Sequence, residues 1–219
     1  MIMHTPCFAV ALKTPKANLK YWNNAPFLGM QVFKTHERSE TMRGNVAIES
    51  MAYEVPKHRV LSSWIEEQIA ETMARLGINR GSLEKLTGIT ERLFWEPGVK
   101  PSEVATRAAR KAIAAAGIDP KKIGVIINAS VCKDYIEPSV ASTVHANLGL
   151  APTCFNYDIS NACLGFLNAM EAVSLMIETG QIEYGLIVDG EGSREFIEST
   201  IERLKSPAVD LDTYMKSFA

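Results

Sequence analysis

One cysteine stands where a nucleophile is expected, between a strand and a helix. Residues 158–166 read DISNACLGF, so Cys163 lies in a turn of small residues after an apolar strand and before a helix. The partial positive charge at a helix N-terminus favours the nucleophilic thiolate, and backbone N–H groups of the turn can hold an oxyanion. A nucleophile elbow has the same arrangement. The pattern makes Cys163 a candidate nucleophile, while the commoner role of a free cysteine is that of a small buried apolar residue.

The remaining cysteines carry less information. Cys132 and Cys154 lack the turn-then-helix setting, and we interpret both as structural. No CxxC pair occurs, so the sequence predicts no metal site, and four cysteines in 219 residues are too few for a disulfide scaffold. A thiol redox sensor is a further alternative, although no resolving cysteine is evident near Cys163. We expect reduced thiols in a cytoplasmic protein.

The elements that must position Cys163 alternate between strand and helix. Apolar runs rich in β-branched residues predict strands at 46–51, 123–129, 155–159 and 184–189. Helical periodicity and terminal glycines predict helices at 63–76, 82–86, 101–116, 139–148, 162–179 and 194–205. Ser63 and Glu66 have the spacing of a capping box at the start of the first helix. This order predicts an α/β fold, a mostly parallel mixed sheet with helices on both faces.

The composition is that of a soluble globular protein. Apolar residues make up 47% of the chain and charged residues 22%. The net charge of −2 gives no reason to expect a nucleic-acid partner, and no apolar run approaches the roughly 18 residues of a membrane span.

The first 41 residues differ from the rest of the chain. Their apolar residues come in short runs broken by prolines, and the run at 8–12 is too short for the core of a signal peptide. From residue 42 onward the alternation of strand and helix is regular. We predict a poorly ordered N-terminal extension at 1–41 and a folded domain at 42–219.

The residues around Cys163 resemble a known family. The run NACLGF at 161–166 is similar to the active-site signature of the thiolase-fold condensing enzymes, and most similar to that of their ketoacyl synthase III branch. Four further segments resemble this branch in the same order along the chain: 87–92 (TGITER), 105–112, 119–127 and 188–191. The resemblance covers about 43–219 and implies the N-terminal half of a thiolase-like fold.

A second resemblance concerns the loop after the predicted strand 123–129. Residues 130–139 read SVCKDYIEPS and are similar to a loop of the acyl-CoA head-to-head condensing enzymes of olefin biosynthesis. The resemblance implies that Glu137 reaches across a dimer into the cysteine pocket of the partner and acts there as a base. The local alternative is that Glu137 stabilises the dipole of the helix that follows it.

The resemblance implies a β-ketoacyl synthase III-like acyltransferase of lipid metabolism and fatty acid biosynthesis. Such an enzyme performs a Claisen condensation through an acyl-cysteine, uses acyl-CoA or acyl-carrier protein as substrate without a cofactor, and works as a dimer. Family members carry a second half that supplies a His and an Asn, whereas this chain ends at residue 219 and its histidines are His4, His36, His58 and His145. We expect an incomplete N-terminal portion, either a homodimer or paired with a C-terminal half. The alternative is a catalytically silent fragment or pairing subunit.

Three other residues could be functional, but we favour packing roles for them. Arg92 and Trp95 could contact a CoA phosphate or adenine, although the neighbouring apolar residues favour packing on the sheet. His145 lies in the middle of a predicted helix, between Val144 and Ala146, where a packed or surface histidine is more common than a base.

Overall fold

A computed structural model describes residues 7–13 and 46–217 of the chain. The strands are β1 Cys7–Lys13, β2 Ala47–Glu54, β3 His58–Leu61, β4 Glu91–Phe94, β5 Ile123–Asn128, β6 Phe155–Asp158 and β7 Tyr184–Asp189. The helices are α1 Ser62–Gln68, α2 Ala70–Arg75, α3 Ser82–Thr87, α4 Pro101–Ala116, α5 Val140–Leu148, α6 Gly165–Glu178, α7 Arg194–Leu204 and α8 Leu211–Lys216. Short 3-10 turns lie at Pro120–Lys122 and Ala162–Leu164.

Five of the strands form one sheet in the order β2-β1-β7-β5-β6. β5 runs parallel to both β6 and β7, while β1 runs antiparallel to both β2 and β7. β2 therefore has the same direction as β7, β5 and β6, and β1 alone is reversed. The predicted α/β class with a mostly parallel mixed sheet is confirmed.

Helices cover both faces of this sheet. On one face α4 packs closely because its inner side is made of small residues, of which Ala105, Ala108, Ala109 and Ala112 are fully buried. α5 lies beside α4 on that face, and Gly117 ends α4 in the left-handed conformation (φ 62°). On the other face α6 buries Ala169, Val173 and Ile177 against the sheet.

The prediction that residues 1–41 are poorly ordered is wrong for residues 7–13. These residues form β1, which lies inside the sheet with Ala9, Val10, Ala11 and Leu12 at most 2% exposed. A strand covered on both faces appears in the sequence as a short continuous apolar run, which has no period to distinguish it. The rest of the predicted extension, 1–6 and 14–41, lies outside the described residues.

A second apolar cluster lies beside the sheet. It is formed by the two-stranded antiparallel sheet of β3 and β4 and by the helices α1, α2, α3, α7 and α8, which bury residues such as Val60, Phe94 and Ile201 together. The predicted capping box at its first helix is wrong, since α1 begins at Ser62 without a side-chain cap. The Glu66 carboxylate instead accepts hydrogen bonds from the backbone N–H groups of Gly81 (2.6 Å) and Leu83 (2.7 Å).

Candidate active site

Cys163 lies in a tight turn at the carboxyl end of β6. The 3-10 turn Ala162–Leu164 joins β6 to α6, and Ala162 has a positive φ of 42°, which is uncommon outside glycine. α6 begins at Gly165, where a Cβ atom would lie 3.2 Å from the backbone oxygens of Ala129 and Ile159. This close approach holds the start of α6 against the ends of β5 and β6. The strand–turn–helix setting predicted for Cys163 is therefore present.

Accessibility separates the four thiols. Cys163 is exposed, whereas Cys7 and Cys154 are buried and Cys132 is half-buried. Burial raises the pKa of Cys7 to about 12 and that of Cys154 to about 11. Burial, and after it the Glu191 carboxylate, raises the pKa of Cys132 to about 12. A thiol with such a pKa is not a nucleophile at neutral pH, so Cys163 is the cysteine suited to react with a substrate.

Glu137 lies in the loop that joins β5 to α5. The loop follows the carboxyl end of β5, and Cys163 follows the carboxyl end of β6, which pairs in parallel with β5. The structure therefore places both predicted residues at the same edge of the sheet. Glu137 is exposed, and none of the hydrogen bonds or ion pairs among the described residues involves its side chain. Its neighbour Ile136 is 93% exposed, so this part of the loop projects from the molecule.

Asp158 joins the two segments. Its carboxylate accepts hydrogen bonds from the backbone N–H groups of Val140 (3.1 Å) and Ala141 (3.0 Å), in the first turn of α5. It also forms an ion pair with Lys133 of the loop at 3.0 Å. Anions at a helix N-terminus are stabilising, so this contact fixes the end of the loop to the strand that leads to Cys163.

An acidic pair, which sequence reasoning missed, lies at the end of β7: Asp189 is half-buried and Glu191 is buried. The Glu191 carboxylate accepts hydrogen bonds from the backbone N–H groups of Val131 (2.5 Å) and Cys132 (2.9 Å). The pKa of Asp189 is raised to about 7, first by burial and then by the neighbouring Glu191 carboxylate. Two carboxylates directly after a buried apolar strand were the available sequence signal, because such positions lie at the edge where polar groups collect.

A second polar group connects β5 to β7 at this edge. Ser130 donates a hydrogen bond to the Asn128 side-chain oxygen (2.5 Å) and accepts one from the backbone N–H of Gly190 (2.7 Å). Asn128 is fully buried. Buried polar groups of this kind fix geometry when they are hydrogen-bonded, so the ends of β5 and β7 are held in register.

Of the three residues assigned to packing, Arg92 is buried, and Trp95 and His145 are half-buried. Arg92 is 1% exposed, and no described residue lies within hydrogen-bonding distance of its three guanidinium nitrogens. The Trp95 indole N–H donates to the backbone oxygen of Glu191 (2.9 Å). A ring nitrogen of His145 lies 3.0 Å from the backbone oxygen of Ala151. Trp95 and His145 therefore contact the chain itself, and their packing roles, with that of Arg92, stay predictions.

Residues 7–13 and 46–217 carry no sign of a membrane span or a metal centre. They contain no helix that is long and apolar enough to cross a membrane. They also contain no group of three or more His, Cys, Asp and Glu side chains that could hold a metal ion.

Comparisons with known proteins agree with this geometry. Residues 157–205 match the family model of 3-Oxoacyl-[acyl-carrier-protein (ACP)] synthase III. An acyl-CoA:acyl-CoA alkyltransferase of Xanthomonas campestris is 42% identical over 175 residues, which cover 80% of this chain and 52% of that enzyme. A beta-ketoacyl-[acyl-carrier-protein] synthase III of Rhodospirillum rubrum is 31% identical over 146 residues, covering 67% of this chain and 43% of that enzyme.

A solved structure is similar to this chain in both fold and sequence. Acetamide-bound OleA of Xanthomonas campestris is similar with a TM-score of 0.75 and 42% sequence identity, covering 78% of this chain and 53% of that one. The chain spans about half the length of the relatives that it matches. The resemblance noted in the sequence is confirmed.

Proposed function

Because this chain is related in sequence and fold to the thiolase-fold condensing enzymes of the ketoacyl synthase III branch, we propose that it is the N-terminal portion of an acyl-thioester condensing enzyme. The observation that carries the proposal is the exposed Cys163 thiol in a turn between β6 and α6. The other three thiols are buried or have a strongly raised pKa. The chain therefore offers one acyl acceptor.

The chemistry proceeds in two steps. The Cys163 thiolate attacks the carbonyl carbon of an acyl-CoA or acyl-carrier-protein thioester, the acyl group moves to Sγ, and the carrier thiol leaves. In the head-to-head reaction, Glu137 of a partner subunit then removes a proton from the α-carbon of a second acyl thioester. The resulting carbanion attacks the acyl-cysteine, and the Cys163 thiolate leaves as the β-ketoacyl thioester forms. Neither step requires a cofactor.

An exposed sheet edge supports a homodimer. β6 is an edge strand, and its Phe155 and Tyr157 are 59% and 38% exposed without any charged residue between them. Natural proteins protect such edges with charges or cover them. Val131 and Ile136 of the adjacent loop add further exposed apolar surface. A second copy seated on this edge would receive the projecting Glu137.

The outer face of α6 supports pairing with a C-terminal half. Only Glu171 and Glu178 are charged among the 14 residues of α6, GFLNAMEAVSLMIE. Its inner side packs on the sheet, while Leu167 and Leu175 on the outer side are 59% and 45% exposed. Two leucines exposed on one helix face favour a partner that covers them. We propose that the second half present in the longer relatives covers this outer face of α6.

The cellular setting is part of the same proposal. Acyl-CoA and acyl-carrier protein are substrates of lipid metabolism, including fatty acid biosynthesis, and they are handled in the cytoplasm. We propose the cytoplasm because all four cysteines are free thiols, which is the state expected in a reducing compartment.

The second candidate is a catalytically silent pairing subunit. It is favoured by the surroundings of the two histidines among the described residues. His145 is bonded to the Ala151 carbonyl, and His58 lies in the separate two-stranded sheet of β3 and β4. A partner would then contribute the reacting groups, and Cys163 would not be acylated.

Acylation of the purified chain tests both candidates. We expect intact-protein mass spectrometry to show one acyl adduct after incubation with an acyl-CoA. Cys163→Ser should abolish this adduct, because Ser lacks the acidity of a thiol. The matched controls Cys132→Ser and Cys154→Ser should retain it. An adduct that survives Cys163→Ser would contradict the proposal, and no adduct on the unmodified chain would favour the silent subunit.

A further inference from the structure

The loop that carries Glu137 begins at a buried carboxylate. Glu191 is 8% exposed, and its two carboxylate oxygens accept hydrogen bonds from consecutive backbone N–H groups, those of Val131 (2.5 Å) and Cys132 (2.9 Å). Val131 is the second residue of the 130–139 loop, so the first turn of the loop is fixed by this one side chain. Hydrogen bonds to an ionised acceptor are about twice as strong as those between neutral groups.

The backbone of Glu191 is held independently of its side chain. Its carbonyl oxygen accepts a hydrogen bond from the Trp95 indole N–H at 2.9 Å. The preceding residue, Gly190, donates its N–H to Ser130 at 2.7 Å, and a Cβ at Gly190 would lie 2.2 Å from the Pro101 backbone oxygen. Glu191 therefore has a fixed position on the framework of β7 and α4, and the loop is attached to that position.

Two more carboxylates hold the rest of the loop. Asp134 accepts hydrogen bonds from the backbone N–H (2.9 Å) and the hydroxyl (2.5 Å) of Ser102, at the start of α4. Asp158 holds the first turn of α5, directly after the loop. Between these anchors Glu137 is exposed and forms no hydrogen bond or ion pair with a described residue. The direction in which Glu137 projects is therefore set by the anchors rather than by its own contacts.

We propose that Glu191 is a positioning residue, which acts through the 130–139 loop to aim Glu137 at Cys163 of a partner subunit. The inference rests on the proposed function, because it assumes the cross-dimer role of Glu137. Glutamine cannot replace Glu191, since it offers one acceptor oxygen and turns its amide donors toward an N–H group. The turn that carries Cys163 is independent of Glu191, because it is held by β5, β6 and α6.

The rate at which a disulfide forms between two copies of the chain measures directly how well position 137 of one copy reaches Cys163 of the other. The measurement does not depend on enzymatic turnover. With Glu137→Cys, oxidised glutathione should link position 137 of one copy to Cys163 of the other, and peptide mapping identifies the link. Adding Glu191→Gln should slow the formation of this disulfide by about tenfold or more, because the loop loses a pair of charge-assisted hydrogen bonds. Glu195→Gln, which changes an exposed acid in α7, is the matched control and should leave the rate unchanged.

Two further measurements separate positioning from a general loss of structure. The rate at which Cys163 reacts with iodoacetamide should stay within about twofold in Glu191→Gln, because its turn is intact. Glu191→Asp keeps the charge but shortens the side chain, so it should give an intermediate disulfide rate even where Glu191→Gln folds poorly. An unchanged disulfide rate in both Glu191 variants would overturn the positioning role of Glu191 and leave the cross-dimer role of Glu137 in place. No 137–163 disulfide in the Glu137→Cys chain would overturn it together with the cross-dimer role of Glu137.

Discussion

Arg92 is a charged side chain held in an apolar environment. Arg92, on β4, pairs with Val60 of the neighbouring strand β3, and Phe94, two residues further along β4, is buried in the same apolar cluster as Val60. Burial lowers the pKa of its guanidinium group. Because no described residue accepts a hydrogen bond from it, its desolvation is uncompensated within this part of the chain. A side chain of similar length without the charge should be tolerated better.

We predict that Arg92→Met stabilises the isolated chain by about 1–3 kcal/mol, the usual cost of an unsatisfied buried polar group. Urea unfolding followed by circular dichroism measures this change. Arg59→Met is the matched control on the neighbouring strand β3, where Arg59 is exposed and paired with Glu91. It should change the free energy of unfolding by less than about 0.5 kcal/mol. A loss of stability in Arg92→Met would show that the guanidinium has an acceptor.

Asp189 should make stability depend on pH. Its pKa is raised from 3.8 to about 7 in the folded chain, first by burial and then by Glu191. The folded chain therefore keeps a proton that the unfolded chain releases near pH 4. The stabilisation that comes from protonated Asp189 is present at low pH and is lost as the pH rises to about 7. Over this range the free energy of unfolding falls by up to about 1.4 kcal/mol per pH unit.

We predict that Asp189→Asn flattens this dependence. The difference in unfolding free energy between variant and unmodified chain should increase in favour of the variant from pH 5 to pH 7.5. Unfolding in guanidinium chloride at the two pH values measures this difference in free energy. Glu183→Gln, an exposed acid just before β7, should leave the dependence as it is. A parallel pH dependence in Asp189→Asn and the unmodified chain would show that Asp189 is ionised throughout.

At the scale of elements, β1 is the connection between β2 and the remaining strands. It pairs with β2 on one side and β7 on the other, and its Val10 lies in the apolar cluster beneath α6. We predict that Val10→Asp lowers the free energy of unfolding by about 3–5 kcal/mol, because it leaves an unpaired charge in the core. Thermal unfolding followed by circular dichroism measures this loss.

The control for this variant is Val55→Asp. Val55 is 41% exposed directly after β2, so the same substitution there keeps the new carboxylate in water. Its effect should stay within about 1 kcal/mol. Equal stability of Val10→Asp and Val55→Asp would show that residues 7–13 do not fill the sheet.

Elements with a strong local pattern could be predicted from the sequence. β5 and β7 are apolar runs with β-branched residues, and α4 combines a proline start with a terminal Gly117, so their existence and limits follow from neighbouring residues. The Cys163 turn also has a local signal in its small residues. These are the parts of the fold in which the decisive interactions lie close in sequence.

β1 and the carboxylate contacts could not be predicted in the same way. β1 is recognisable as a strand only through β2 and β7, and Ala9 pairs with Val188 at the far end of the chain. Glu66 has the spacing of a capping residue, yet its partners Gly81 and Leu83 lie beyond the helix. Glu191 binds N–H groups about sixty positions earlier. Such contacts depend on tertiary structure and leave no periodic pattern.

At the scale of the whole molecule, the β6 edge should determine the oligomeric state. The proposed dimer predicts that the chain sediments as a dimer at micromolar concentration and that Phe155→Asp makes it a monomer. A charge on the exposed edge strand should prevent a second copy from pairing with it. Sedimentation velocity distinguishes the two states.

The matched control is Phe196→Asp on α7. Phe196 is 66% exposed, similar to Phe155 at 59%, but it lies away from the sheet edge. This variant should remain a dimer. A dimer that survives Phe155→Asp and dissociates with Phe196→Asp would place the interface on α7 instead.

The position of β1 also affects how the protein is made. β1 leaves the ribosome before every other described element, whereas its partner β7 is the last of the described strands to follow. At roughly 5–20 residues per second, the nascent chain carries this apolar segment without that partner for about ten seconds or longer. We expect the emerging chain to bind a holding chaperone through residues 7–13 during that interval, and release to coincide with the synthesis of β7.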